Sequence, residues 1–153
     1  MGEEAVMRAV ILIGHGSRAA GADDDMEKIA AGLRAKLGGI VATCRMSGHG
    51  IPFDEAFDQC VRQGAKSVIV LPYFLHFGVH LREDIPEMIR KAARRSPEVR
   101  LVLGRHLGYD DVLVTLVAKR IGDSEEKGGT APLFFLFLVV SLCALPAPAF
   151  AMH

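Results

Sequence analysis

The chain has 153 residues, enough for one domain with a real hydrophobic core. Half of it is hydrophobic, and 18 Lys plus Arg balance 18 Asp plus Glu, which argues against a protein built mainly to bind nucleic acid. Three cysteines (Cys44, Cys60 and Cys143) with no Cys-x-x-Cys pair leave a zinc ribbon, a c-type haem attachment and a disulfide framework unsupported.

Residues 1–121 alternate strand-like and helix-like segments. The β-branched run Arg8 to Ile13, followed by glycine, suits a buried strand. From Asp24 to Leu37, Met26, Ile29, Ala30, Leu33 and Leu37 recur at helical spacing, with acids in the first turn and Gly38-Gly39 as a stop. The triplet Asp23-Asp24-Asp25 is helix N-terminal charge by this reading rather than a metal cluster. Ile40 to Cys44 is a second strand. Phe53, Ala56, Phe57, Cys60 and Val61 share one face of a helix ending before Gly64. Cys44 and Cys60, both in apolar segments, read as buried thiols.

Ser67 to Leu71 is a third strand, ended by Pro72. A helix over Arg82 to Arg95 follows, with Pro86 tolerated only in its first turn. Arg100 to Leu103 is a fourth strand and Asp110 to Ile121 the last helix. Residues 122–130 read as a polar linker. The uncharged stretch 131–145 is shorter than the roughly 20 residues a spanning helix needs. With Lys127 before it and Ala149-Phe150-Ala151 after it, residues 131–153 have the form of a signal segment, a membrane anchor, or an extra apolar helix.

Four strands alternating with helices predict an α/β fold: a three-layer domain with a parallel sheet ordered 2-1-3-4. Ligands bind such sheets beyond the carboxyl ends of the strands, where the strand order reverses. That point lies between strands 1 and 3, so the segments after Ile13 and after Leu71 should line the site.

Two histidine-bearing loops meet there: Gly14-His15-Gly16-Ser17-Arg18, and Pro72 through Phe74 to Gly78-Val79-His80-Leu81-Arg82. Neutral imidazole is a common ligand for borderline metals, and the glycines beside His15 leave room for a bulky ligand. His76 is four residues before His80, but Gly78 between them argues for a loop. His106 follows strand 4, and His49 follows strand 2; both are candidates for the rim. A phosphate-loop reading fails, because neither Gly-x-Gly-x-x-Gly nor Gly-Lys-Ser/Thr is present. Ser17 lacks the Gly-x-Ser-x-Gly elbow of a nucleophile.

The stretches Ile11 to Arg18 and Leu71 to Pro86, with Leu107-Gly108-Tyr109-Asp110-Asp111, resemble the short-form sirohydrochlorin cobaltochelatases, a class II tetrapyrrole chelatase family, over roughly residues 8–121. The resemblance implies a cytoplasmic lyase of anaerobic cobalamin synthesis. It implies sirohydrochlorin as substrate, a homodimer, and His15 and His80 as the residues that bind metal and carry catalysis. No organic cofactor is implied. Gly14, Gly16, Ser17, Arg18, Arg45, Phe74, Gly78, Val79 and Arg82 are then the candidate substrate-binding residues, the arginines receiving carboxylates through paired hydrogen bonds. Many members carry a Glu shortly after the second strand. Here residues 45–52 hold no acid, and His49 stands as a candidate third metal group. Co²⁺ is the expected metal, with Ni²⁺ and Fe²⁺ as alternatives. A non-catalytic cobalt or tetrapyrrole carrier tied to a membrane partner through residues 131–145 is the competing reading.

Overall fold

A computed structural model describes residues 7–16, 24–47 and 50–128. Chain contacts divide it into two units, residues 1–109 and 110–153.

The first unit holds strand β1 (Arg8–Gly14), helix α1 (Asp24–Leu37), β2 (Ile40–Arg45), α2 (Phe53–Arg62), β3 (Ser67–Pro72), α3 (Ile85–Arg95) and β4 (Arg100–Leu103). The four strands form one parallel sheet in the order β2-β1-β3-β4, as the strand–helix alternation predicts. After the exposed Arg8, central β1 is apolar from Ala9 to Gly14 because both its faces are covered. Ala9, Ile11 and Ile13 face a core completed by Phe53, Ala56, Phe57 and Cys60 of α2, by Val68 and Val70 of β3, and by Ile85 and Ala92 of α3. On the opposite face Leu12 and Val41 pack with Met26 and Ala30 of α1. The period-2 alternation of the strands thus distributes side chains to two cores, with helices on both faces.

Burial accounts for the two described cysteines: desolvation pushes the Cys44 thiol up to about 12 and the Cys60 thiol up to about 11. Gly38 and Gly39, at φ +69° and +77°, end α1 in a left-handed conformation. Arg95 of α3 reaches Asp54 and Asp58 of α2, each at 3.0 Å, tying the two helices at the surface.

The helix expected from Arg82 begins earlier. A π-helical turn spans His80–Asp84 and runs directly into α3. Pro86 explains it. Lacking an N–H, proline cannot donate to the carbonyl four residues back, and its ring would crowd that carbonyl. The wider turn, in which the Ile85 N–H donates to the His80 carbonyl, accommodates the ring.

The second unit holds helix α4 (Asp111–Gly128). It continues through residues 122–128, part of the stretch expected to be a polar linker. Local bonds support the extension: Ser124 Oγ donates to the Arg120 carbonyl at 2.8 Å, and Arg120 pairs with Asp123 at 3.5 Å. Among the described residues, no helix is long and apolar enough to cross a membrane. The apolar tail, 131–153, with Cys143, lies outside the described residues.

Candidate functional site

The carboxyl ends of the strands are clasped by backbone bonds. The Met46 N–H donates to the Gly14 carbonyl at 2.9 Å, and the Tyr73 N–H donates to Ile13 at 2.8 Å. The His15 carbonyl accepts twice from Ser47, from its N–H at 3.1 Å and from Oγ at 3.1 Å. The loop after β1 is therefore pinned between those after β2 and β3. Gly16 makes the clasp possible. Its φ is +99°, and a Cβ there would sit 1.7 Å from the Ser47 carbonyl oxygen.

On this clasp the rings of His15 and His80 meet edge to face, centroids 5.0 Å apart at 79°. Phe74 packs against His15 at 6.3 Å. The two histidines are 65 positions apart in sequence, and the switch point between β1 and β3 brings them together. The Gly78 carbonyl accepts from the N–H groups of Leu81 and Arg82, both at 3.1 Å, so the helical turn carrying His80 starts directly after Gly78. His80 Nδ1 lies 2.6 Å from Asp84 Oδ2.

A cleft of about 210 Å³ adjoins the pair, lined by Gly14, His15, Gly16, Asp25, Met26, Arg45 and Tyr73. Beside His80, the loop after β3 exposes Leu75, Phe77 and Val79, which are 53%, 67% and 55% accessible. Arg82 is exposed and pairs with its neighbour Glu83 at 2.9 Å. His106 turns to Phe77, ring centroids 6.0 Å apart, rather than joining the His15–His80 contact. His76 is exposed on the same loop. Ser17, Arg18 and His49 lie outside the described residues.

Asp84 and Ser47, which bond the two histidines, and Tyr73, which lines the cleft, are not singled out by the sequence reading. For Asp84 a signal existed: it follows His80 by four residues, the helical neighbour spacing. Asp25, read as helix-terminal charge, lines the cleft while pairing with Lys28 at 3.1 Å.

A larger cleft of about 390 Å³ lies along the outer edge of β2. Its carboxylate, Glu27, is already held by Arg34 at 2.7 Å and Thr43 at 3.2 Å, and no histidine among the described residues lines it. Among the described residues, no group of three or more His, Cys, Asp or Glu side chains is arranged to hold a metal ion.

A family model described as CbiX matches residues 9–124. The sirohydrochlorin ferrochelatase of Bacillus subtilis (strain 168) is 32% identical over 117 residues, covering 76% of this chain and 45% of that protein. The sirohydrochlorin cobaltochelatase of Methanococcoides burtonii is 30% identical over 120 residues, covering 72% of this chain and 92% of that protein. The crystal structure of the sirohydrochlorin chelatase SirB from Bacillus subtilis subspecies spizizenii, in complex with cobalt, superposes with a TM-score of 0.71 at 31% identity, covering 76% of this chain and 50% of that one. The chain spans about half the length of the Bacillus proteins it matches. With the match running from the first strand into the last helix, the chain belongs to the CbiX family.

Proposed function

We infer that the chain is a chelatase that inserts a divalent metal, Co²⁺ before Fe²⁺ or Ni²⁺, into sirohydrochlorin, and that residues 1–121 carry this activity. The observation that carries the reading is the His15–His80 pair, 5.0 Å between ring centres, at the mouth of the sheet. A metal about 2.1 Å from each ring nitrogen sits about 3.2 Å from each ring centre, and a tetrahedral angle then separates the centres by about 5.2 Å. The pair is spaced to share one ion.

Insertion requires that two pyrrole protons leave and that the metal pass from exchangeable ligands to the four macrocycle nitrogens. Neutral imidazoles serve both needs, as ligands and as proton acceptors. The exposed Leu75, Phe77 and Val79 offer an apolar lip for a flat macrocycle, and Arg45 and Arg82 offer charge for its carboxylates. Arg18 and His49 would add to this set. Relatives bear both cobaltochelatase and ferrochelatase names, and imidazole ligands alone favour Ni²⁺ over Co²⁺. Metal choice then rests with supply in the cell. The matched region covers 45% and 50% of the two Bacillus relatives, which supports a homodimer that pairs two such regions. A cytoplasmic location and anaerobic cobalamin synthesis accompany the Co²⁺ reading.

Purified protein mixed with sirohydrochlorin and Co²⁺, Fe²⁺ or Ni²⁺ should accelerate the absorbance change of insertion, with Co²⁺ among the metals inserted. His15→Ala and His80→Ala should each lower the rate by about 100-fold or more. No acceleration with any metal would sink the enzyme reading, and intact rates in both variants would sink the site. Sedimentation of the same preparation should give twice the chain mass.

A further inference from the structure

Of the two candidate ligands, His80 is the one that has a carboxylate on its ring among the described residues. Asp84 Oδ2 is 2.6 Å from Nδ1, and both side chains are partly buried. An ionised carboxylate accepts and cannot donate, so the hydrogen of this bond belongs to Nδ1. In the neutral ring, Nε2 is then left with its lone pair free. The contact is built into the backbone: His80 and Asp84 are the first and last residues of the π-helical turn, and that turn exists because Pro86 follows. The spacing, the turn and the short contact select one tautomer and one ring orientation.

We propose that Asp84 is a positioning residue for the metal-handling site: it holds His80 as the Nδ1–H tautomer and presents Nε2 toward His15. This rests on the reading of His80 as a metal ligand. It does not depend on sirohydrochlorin being the acceptor, which is why the tests use metal alone. A carboxylate bound to the far nitrogen of a ligating imidazole both fixes the ring and raises its basicity, and removing such a partner typically weakens metal binding about 10–100-fold. Asp84 needs no contact with metal or macrocycle to act in this way.

Three measurements on the full chain test it. Long-range ¹H–¹⁵N spectra of the metal-free protein should show Nε2 of neutral His80 unprotonated, and Asp84→Ala should return the ring to an Nε2–H-dominated mixture. Titration with Co²⁺ in the absence of tetrapyrrole should show Asp84→Ala weakened about 10–100-fold, with Asp84→Asn, which keeps an acceptor oxygen, recovering most of the loss. In a His80→Ala background Asp84→Ala should change Co²⁺ binding no further; a general structural role would weaken it again. An unchanged tautomer, equal losses in Asp84→Asn and Asp84→Ala, or a further loss in the His80→Ala background each overturns the proposal. Should wild-type protein bind Co²⁺ in this way yet fail to insert it, the chelatase reading fails and the positioning role stands.

Discussion

Replacing Gly16 with alanine should disable the site while leaving the core intact. The new Cβ would lie 1.7 Å from the Ser47 carbonyl oxygen, whereas real Cβ contacts essentially never fall under 3.0 Å, so the two loops must part by at least 1.3 Å. The backbone at φ +99° adds a left-handed penalty of about 1–2 kcal/mol for a residue with a side chain. Parting the loops breaks the two bonds from Ser47 to the His15 carbonyl, worth about 1 kcal/mol each. The stability loss should therefore be about 3–4 kcal/mol, read by urea unfolding. Function should suffer more. A displacement of about 1 Å at a reacting group costs on the order of 100-fold in rate, and here it falls on the residue facing His80. Gly32→Ala is the control: a Cβ there meets nothing within 4 Å, on an exposed position of α1, and should stabilise by up to about 1 kcal/mol with the rate unchanged. A Gly16→Ala protein with wild-type insertion rate and wild-type urea midpoint would refute the clasp as the device that places His15.

Phe57 is fully buried between α2 and the sheet, so Phe57→Ala should cost about 3–5 kcal/mol, measured by the same unfolding; a loss under 1 kcal/mol would mean that this core is not the one that holds the fold. In a Cys143→Ser background, Cys44 and Cys60 should resist thiol reagents at pH 8 in the folded protein and react after unfolding, because burial keeps both protonated; rapid labelling of folded protein would contradict their burial. Both thiols have folded pKa values above the unfolded value of 9.0. The unfolded chain thus loses these protons first, and their contribution to stability, complete below pH 9, should decline as pH rises toward about 11 and 12.

Most of the fold is legible in the residues, for reasons that can be named. β1 reads as an unbroken apolar run because it is covered on both faces, and α2 carries Phe53, Ala56, Phe57 and Cys60 at the i, i+3, i+4, i+7 spacing of a helix with one buried face. Once strands and helices alternate, the handedness of the crossovers leaves few topologies, and the order 2-1-3-4 follows. The failures lie where no hydrophobic period exists. Residues 122–128 are polar and include Gly122, yet α4 runs through them on bonds between neighbouring turns, which composition does not register. The turn at His80 was hidden by Gly78, whose presence suggested a loop. Its carbonyl instead opens the helical turn.

The site divides along the same line. That His15 and His80 should converge is a consequence of topology, and topology is readable. How each is held depends on one carbonyl or one carboxylate, and patterns at the scale of whole elements pass over single bonds. The two holds also differ in kind. Ser47 grips the backbone of His15, whose ring rests against Phe74, whereas Asp84 grips the ring of His80 itself. A metal-storage site would be expected to close four ligands around the ion, and tight coordination is what a transferring protein must avoid. With no third His, Cys, Asp or Glu arranged around the pair among the described residues, an ion bound here would keep open positions. Those positions are where macrocycle nitrogens could displace water one at a time before the imidazoles let go. Were both histidines to ligate an ion, one held by a hydrogen bond to its ring and the other through its backbone would form an arrangement that can receive the ion and still release it.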